Sequence, residues 1–164
     1  MINFKPGDLA VYPNHGVGEV VSIEDKTLGT QSVSCYVVDI LATGSKVFVP
    51  ICSANRMGLR TITDSGEAEG VYGLFHVRTP EMLKMNWNKR FRCLQEKMKT
   101  GKISDVALVV SDLLFLKRKK GLSYGEDKLL CEAEEILITE LSIAEKESKD
   151  VIREKIHLMS AKAS

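Results

Sequence analysis

The chain of 164 residues has a single tryptophan, four prolines and four cysteines, and only 6% of it is aromatic. It has no run of about 18 apolar residues, so no membrane-spanning helix is expected. The opening Met1-Ile2-Asn3-Phe4-Lys5-Pro6-Gly7 lacks a basic stretch followed by an apolar core, which predicts no signal peptide and a cytoplasmic protein. Cys35, Cys52, Cys93 and Cys131 form no C-x-x-C pair and are expected to be reduced, buried small hydrophobes. Zinc spacing, a phosphate loop and an EF-hand are all missing. His15, His76 and His157 fall in separate elements, with no ligand-type partner at i+3 or i+4. A Cys–His pair that meets only in space is a nucleophile the sequence leaves open. Gly16-x-Gly18 has no third glycine opening a helix, so it reads as a bend at a barrel corner and not as a nucleotide loop. No enzyme, cofactor or metal site is expected.

What the chain does have is charge in one place. The formal net charge is only +1, but residues 84–120 carry eleven cations against three acids. Both flanking segments are acidic. Such a surplus points to a polyanionic partner for the middle of the chain, set against the simpler reading of a solvated face.

Residues 1–64 read as all-β. Short strands are predicted at Leu9–Tyr12, Val20–Ile23, Ser34–Leu41 and Lys46–Ile51, with a last one through Gly58–Ile62. Their even spacing suggests a small closed or half-closed barrel. From Asp64 the apolar period changes from two to 3.6, and Asp64–Gly70 is the expected hinge. A weak helix over Ala68–Phe75 is followed by a break at Thr79-Pro80. The next helix has Asn86 as its cap and Gly101 just beyond its end. Ser104 is the expected cap of a helix with Val106, Val109, Val110, Leu113 and Leu114 on its stripe, ending at Lys117-Arg118-Lys119-Lys120-Gly121. Ser123-Tyr124-Gly125-Glu126 is a capping box for a long amphipathic helix. Glu132, Glu134 and Glu135 lie on its outer face. Ser148 starts a final helix, with Val151, Ile152, Ile156 and Met159 expected to face inward. The fold class is thus α+β, a small β-barrel over 1–64 and a compact all-helical domain over 65–164.

Asn86-Trp87-Asn88-Lys89-Arg90-Phe91-Arg92 combines the tryptophan with the charge. Trp87, Phe91, Leu94 and Met98 recur at helical spacing, while Lys89, Arg90, Arg92 and Lys97 are expected on the remaining faces. On pattern alone, Trp87 is a core residue under a basic surface. The sharper reading is a flat apolar wedge for a base step, flanked by cations for the phosphates.

Phe4-Lys5-Pro6-Gly7-Asp8-Leu9-Ala10-Val11-Tyr12-Pro13-Asn14-His15-Gly16-Val17-Gly18 resembles the start of the CarD/CdnL family of bacterial transcription regulators. Val49-Pro50, Gly58-Leu59-Arg60, Asn86-Trp87-Asn88-Lys89-Arg90 and Gly121-Leu122-Ser123-Tyr124-Gly125-Glu126 follow in that family's order. The resemblance implies an N-terminal Tudor-like (SH3-like) barrel that binds the RNA polymerase β subunit and a helical domain that contacts promoter DNA. It implies a non-enzymatic factor that stabilises the open complex, with Trp87 wedged at the upstream edge of the bubble and Lys89, Arg90 and Arg92 beside it. Lys26 and the edge formed by Val47, Phe48, Val49 and Pro50 would meet polymerase. Two positions depart from the family. Phe48 stands where some members have arginine, and Asp127 where some have lysine. The alternatives are a free-standing nucleoid DNA-binding protein, a methyl-lysine reader and a thiol enzyme. Phe4, Tyr12, Tyr36 and Phe48 are too spread for the aromatic cage a reader needs. With no long heptad run, a monomer is expected.

Overall fold

The computed structural model describes residues 2–76 and 81–162. The expected break at Thr79-Pro80 lies outside the described residues, as does the side chain of His76. The chain divides into two compact units, one ending at Ile62 and the other beginning at Thr63.

The first unit is a four-stranded antiparallel sheet in chain order, β1 (Leu9–Tyr12), β2 (Gly16–Leu28), β3 (Gln31–Ile40) and β4 (Lys46–Pro50). Val20, Tyr36, Val38, Ile40 and Val49 bury one face together with Phe4, whose ring meets Tyr36 edge-on at 5.6 Å. The β2–β3 ladder runs to Leu28↔Gln31, so the hairpin closes on Gly29-Thr30, with Gly29 at φ 65°. The sequence shows this ladder only in part. Residues 24–28 and 31–32 project past the core, are mostly exposed, and therefore carry no apolar alternation. Gly58–Ile62 is not a strand. It contributes one bridge, in which Val11 donates to the Arg60 carbonyl at 2.8 Å. At Gly18 a Cβ would lie 2.9 Å from the Asp39 carbonyl oxygen and closer still to Val38, so close strand approach, and not a corner bend, requires this glycine.

Among the described residues the second unit holds six α-helices, α1 (Ser65–Val71), α2 (Glu81–Lys84), α3 (Trp87–Lys99), α4 (Ile103–Lys120), α5 (Tyr124–Glu145) and α6 (Lys149–Lys162). The expected hinge at Asp64–Gly70 is the start of α1, because the Asp64 side chain accepts from Glu67 N and caps it. Asn86 caps α3 by accepting from Lys89 N at 2.9 Å. Gly101, at φ 71°, follows its end. Ser104 lies inside the first turn of α4, whose N-cap is Lys102. Thr100 supplies the local bonds, accepting from Lys102 N at 3.3 Å and donating to Asp105 at 2.6 Å.

The core of this unit is built from the α4 stripe (Val106, Val109, Val110, Leu113), from Leu94 and Met98 of α3, and from Ala133, Leu137 and Leu141 of α5. In α6, Ile152 and Ile156 are fully buried, but Val151 faces outward. An α-helix turns about 100° per residue, and position 151 falls on the far side of Ile152 from Ile156, at the edge of the packed face. Lys149 and Arg153 reach Glu135, and His157 reaches Glu134, so two of the three glutamates on the α5 exterior hold α6.

Candidate nucleic-acid interface

Trp87 opens α3, where no preceding turn covers it, and its side chain stays 43% exposed. That settles its place at the surface. The ring is nevertheless held on two sides. Phe91, one turn on, stacks beneath it at 5.1 Å with an interplanar angle of 11°. The indole Nε1–H donates to Ser123 Oγ at 2.7 Å. Gly125 lies beside the pair, where a Cβ would make ordinary van der Waals contact with the indole at 3.5 Å. A stacked pair of this kind contributes about 0.5–1.5 kcal/mol beyond its area, and a neutral hydrogen bond about 1 kcal/mol. The indole thus presents its free face and edge from a fixed orientation.

Arg90 does not stand beside it as a surface cation. The expectation that Arg90 comes off an outer face is corrected by its burial, with only 5% of the residue exposed. Its Nε and terminal nitrogen donate to Glu126 Oε1 at 2.7 and 2.6 Å, and its other terminal nitrogen donates to the Met85 carbonyl. Position 90 lies one turn before Leu94, on the α3 face that packs inward, which places a charge where the apolar stripe runs. The glutamate is the residue that makes this burial tolerable. Its second oxygen accepts from Ser123 N at 3.0 Å, while Ser123 Oγ accepts from Glu126 N at 3.2 Å. One continuous set of bonds therefore runs from Met85 through Arg90, Glu126 and Ser123 to the Trp87 ring. The sequence shows the capping box, but nothing in it ties that box to a tryptophan 36 residues away.

Lys89 and Arg92 are exposed, on the outer faces of α3. Lys97 is turned toward Asp112 at 3.5 Å and is only about one-third exposed. Tyr124, the first residue of α5, is 88% exposed next to the serine that holds the indole, and the sequence reading gave it no role. Asp127 meets Lys117 at 3.6 Å in an exposed pair, so the substituted position takes up a cation instead of offering one.

In the first unit, β4 is an edge strand of the sheet. Val49 is buried, Val47 and Pro50 are half-buried, and Phe48 is 44% exposed. The Lys26 ammonium sits 4.3 Å from the centroid of the Phe48 ring and 3.4 Å from Glu24. Phe48 opposes Val37 on β3, so the lysine reaches it across the outer face of the sheet. The four aromatics considered for a cage do not converge. Phe4 and Tyr36 lie in the core, Tyr12 stacks on His15 at 5.3 Å, and Phe48 is on the outer face.

Among the cysteines only Cys35 is buried, with Cys93 half-buried and Cys52 and Cys131 exposed, which corrects the expectation of four core thiols. All four are free. No group of three or more His, Cys, Asp or Glu that could hold a metal occurs among the described residues. No helix is long and apolar enough to cross a membrane, again among the described residues.

Comparison with known proteins accounts for both units. Residues 4–63 match the CarD-like/TRCF RID domain, and residues 70–157 match the CarD C-terminal domain. A putative transcription factor of Bacillus subtilis (strain 168), YdeB, is 33% identical over 140 residues, covering 85% of this chain and 91% of that protein. With a family model matching each unit in order and a relative spanning most of both lengths, the chain belongs to the CarD/CdnL family of transcription regulators.

Proposed function

We propose that this protein acts without enzymatic chemistry, in the cytoplasm at the nucleoid, as a monomer that binds the β subunit of RNA polymerase and stabilises the open promoter complex. The β4 edge, with Lys26 and Phe48 on its outer face, is the polymerase-binding surface, and unpaired strand edges favour main-chain pairing with a partner strand. Trp87 is the wedge at the upstream bubble junction. Lys89 and Arg92 hold the adjoining phosphates, and Arg90 serves from inside by fixing the ring's support.

The observation that carries this reading is an exposed indole held rigid by Phe91 and Ser123. A ligand shifts an equilibrium only by its differential affinity for the two states. At a junction already unstacked by melting, the indole meets little of the few kcal/mol otherwise needed to open a base step. Stacking on the parted base contributes roughly 1–3 kcal/mol, which favours the open complex about 10- to 100-fold. In Trp87→Ala, the open-complex lifetime on a linear promoter fragment is expected to fall to the value without the factor, while co-purification with polymerase persists. A variant that prolongs the complex as well as wild type rejects the wedge.

A further inference from the structure

The four consecutive cations that end α4, Lys117, Arg118, Lys119 and Lys120, form the densest charge in the chain, and all four are exposed. The exposed ion pair between Lys117 and Asp127 brings in one carboxylate. Arg118 bonds to the Ser160 hydroxyl and carbonyl, and Lys120 to the Leu83 carbonyl at 3.3 Å, both uncharged partners. Lys119 rests 5.7 Å from the Phe115 ring. No carboxylate pairs with residues 118–120 among the described residues, and the helix C-terminus offsets only about half a unit of charge. Among the described residues a surplus of about two and a half charges remains there.

Its position is fixed by the same bonds. Lys120 reaches Leu83, four residues before Trp87, and Ser123, three residues after Lys120, holds the indole. The α4–α5 connection is thus pinned on both sides to the segment bearing the tryptophan. Lys84, at the end of α2, is exposed beside that same contact.

We infer that the C-terminal end of α4, through Lys119 and Lys120 with Lys84 beside them, is a second phosphate-binding surface that grips the duplex flanking the Trp87 junction. The inference rests on the wedge reading, and the partner it fits is the sugar–phosphate backbone of double-stranded DNA. Such contacts add affinity without base preference and position the wedge along the duplex. Lys120 shares its charge with a carbonyl that a phosphate need not displace, since an ammonium has three donors.

The test is a fluorescence-anisotropy titration of the full chain against a labelled duplex with a single-stranded fork, repeated across a salt series. Each phosphate contact contributes about 0.9 to the slope of log affinity against log salt. Lys119→Ala, which removes no hydrogen bond, is expected to lower that slope by about 1, and Lys119→Ala/Lys120→Ala by about 2. Lys102→Ala, at the other end of α4 about 27 Å away, should leave it unchanged. An unchanged slope in the double variant, or an equal fall in Lys102→Ala, overturns the inference. Helical circular dichroism confirms that each variant is folded. Open-complex lifetime with Trp87→Ala separates the two ideas. If that variant loses stabilisation while the double variant keeps its slope, the α4 surface alone is wrong. If Trp87→Ala loses nothing, the wedge reading beneath it fails.

Discussion

Ser123 and Trp87 are 36 residues apart and meet at 2.7 Å, indole nitrogen to hydroxyl oxygen. The serine oxygen simultaneously closes the first turn of α5, so one atom both starts a helix and aims an aromatic ring. A residue with two such duties yields two separable losses.

Ser123→Ala removes the cap and the indole acceptor together. Loss of an N-cap costs about 1 kcal/mol, which lowers the thermal midpoint by a few degrees. Open-complex lifetime should fall between wild type and Trp87→Ala, because Phe91 still supports the ring. Ser123→Asp restores cap and acceptor and should recover both. A Ser123→Ala protein with full activity in the lifetime assay means the bond does not position the ring.

Arg90→Ala strands Glu126 in the interior, where only 2% of its side chain is exposed. Removing one partner of a buried pair costs roughly 3–5 kcal/mol, far above the 0–1 kcal/mol of a surface pair. Urea unfolding of Arg90→Ala, compared with Lys89→Ala and Arg92→Ala, reads this directly. The two surface variants should keep wild-type stability and lose DNA affinity instead.

Phe48→Ala removes the ring under Lys26 and the apolar centre of the β4 edge, without touching the buried Val49. Co-purification with polymerase should drop by tenfold or more, since anchors of this kind contribute 2 kcal/mol or above. DNA titrations of the same variant should be unchanged. Equal polymerase recovery would place the docking surface elsewhere.

Glu135 links α5 to α6 and its carboxyl is held below the ordinary carboxylate value, first by the hydrogen bond from Lys149, which outweighs the opposing effect of partial burial. A depressed folded pKa means the contribution is present above the unfolded pKa and lost as pH falls through the folded one. The loss therefore begins near pH 4 and completes below it. Glu135 is 39% exposed, so solvent screening keeps the pair near the 0–1 kcal/mol of surface bridges. Lys149→Ala should flatten the wild-type dependence of the thermal midpoint on pH below about 4. The two curves staying parallel there would refute the linkage.

Local order in the chain was enough to fix much of this. Asn86 before Trp87, Gly101 after α3 and the Ser123–Glu126 box each satisfy backbone groups within a few residues, and such bonds are written in short motifs. The stripes of α4 and α5 were equally legible, because a helix that buries one face must repeat its apolar residues. The change of period near Asp64 marked where the sheet gives way to helices. Where an element has no core to face, that signal disappears, as in the outer β2–β3 hairpin, whose exposed residues show no alternation.

The rest needed tertiary structure, because it depends on which distant groups meet. Position 90 offers a cation to any reading of the sequence, and only Glu126, arriving from another helix, turns it inward. The tryptophan fits a core or a surface equally well by pattern. Its place is decided by what lies beside the start of α3, a serine hydroxyl at the indole edge and a phenylalanine under one face. Composition and spacing determined that this chain has a β unit, a helical unit and a basic segment with one indole in it. Packing alone decided which charges hold that indole in place and which stay exposed, since burial and pairing are properties of neighbours and not of residues.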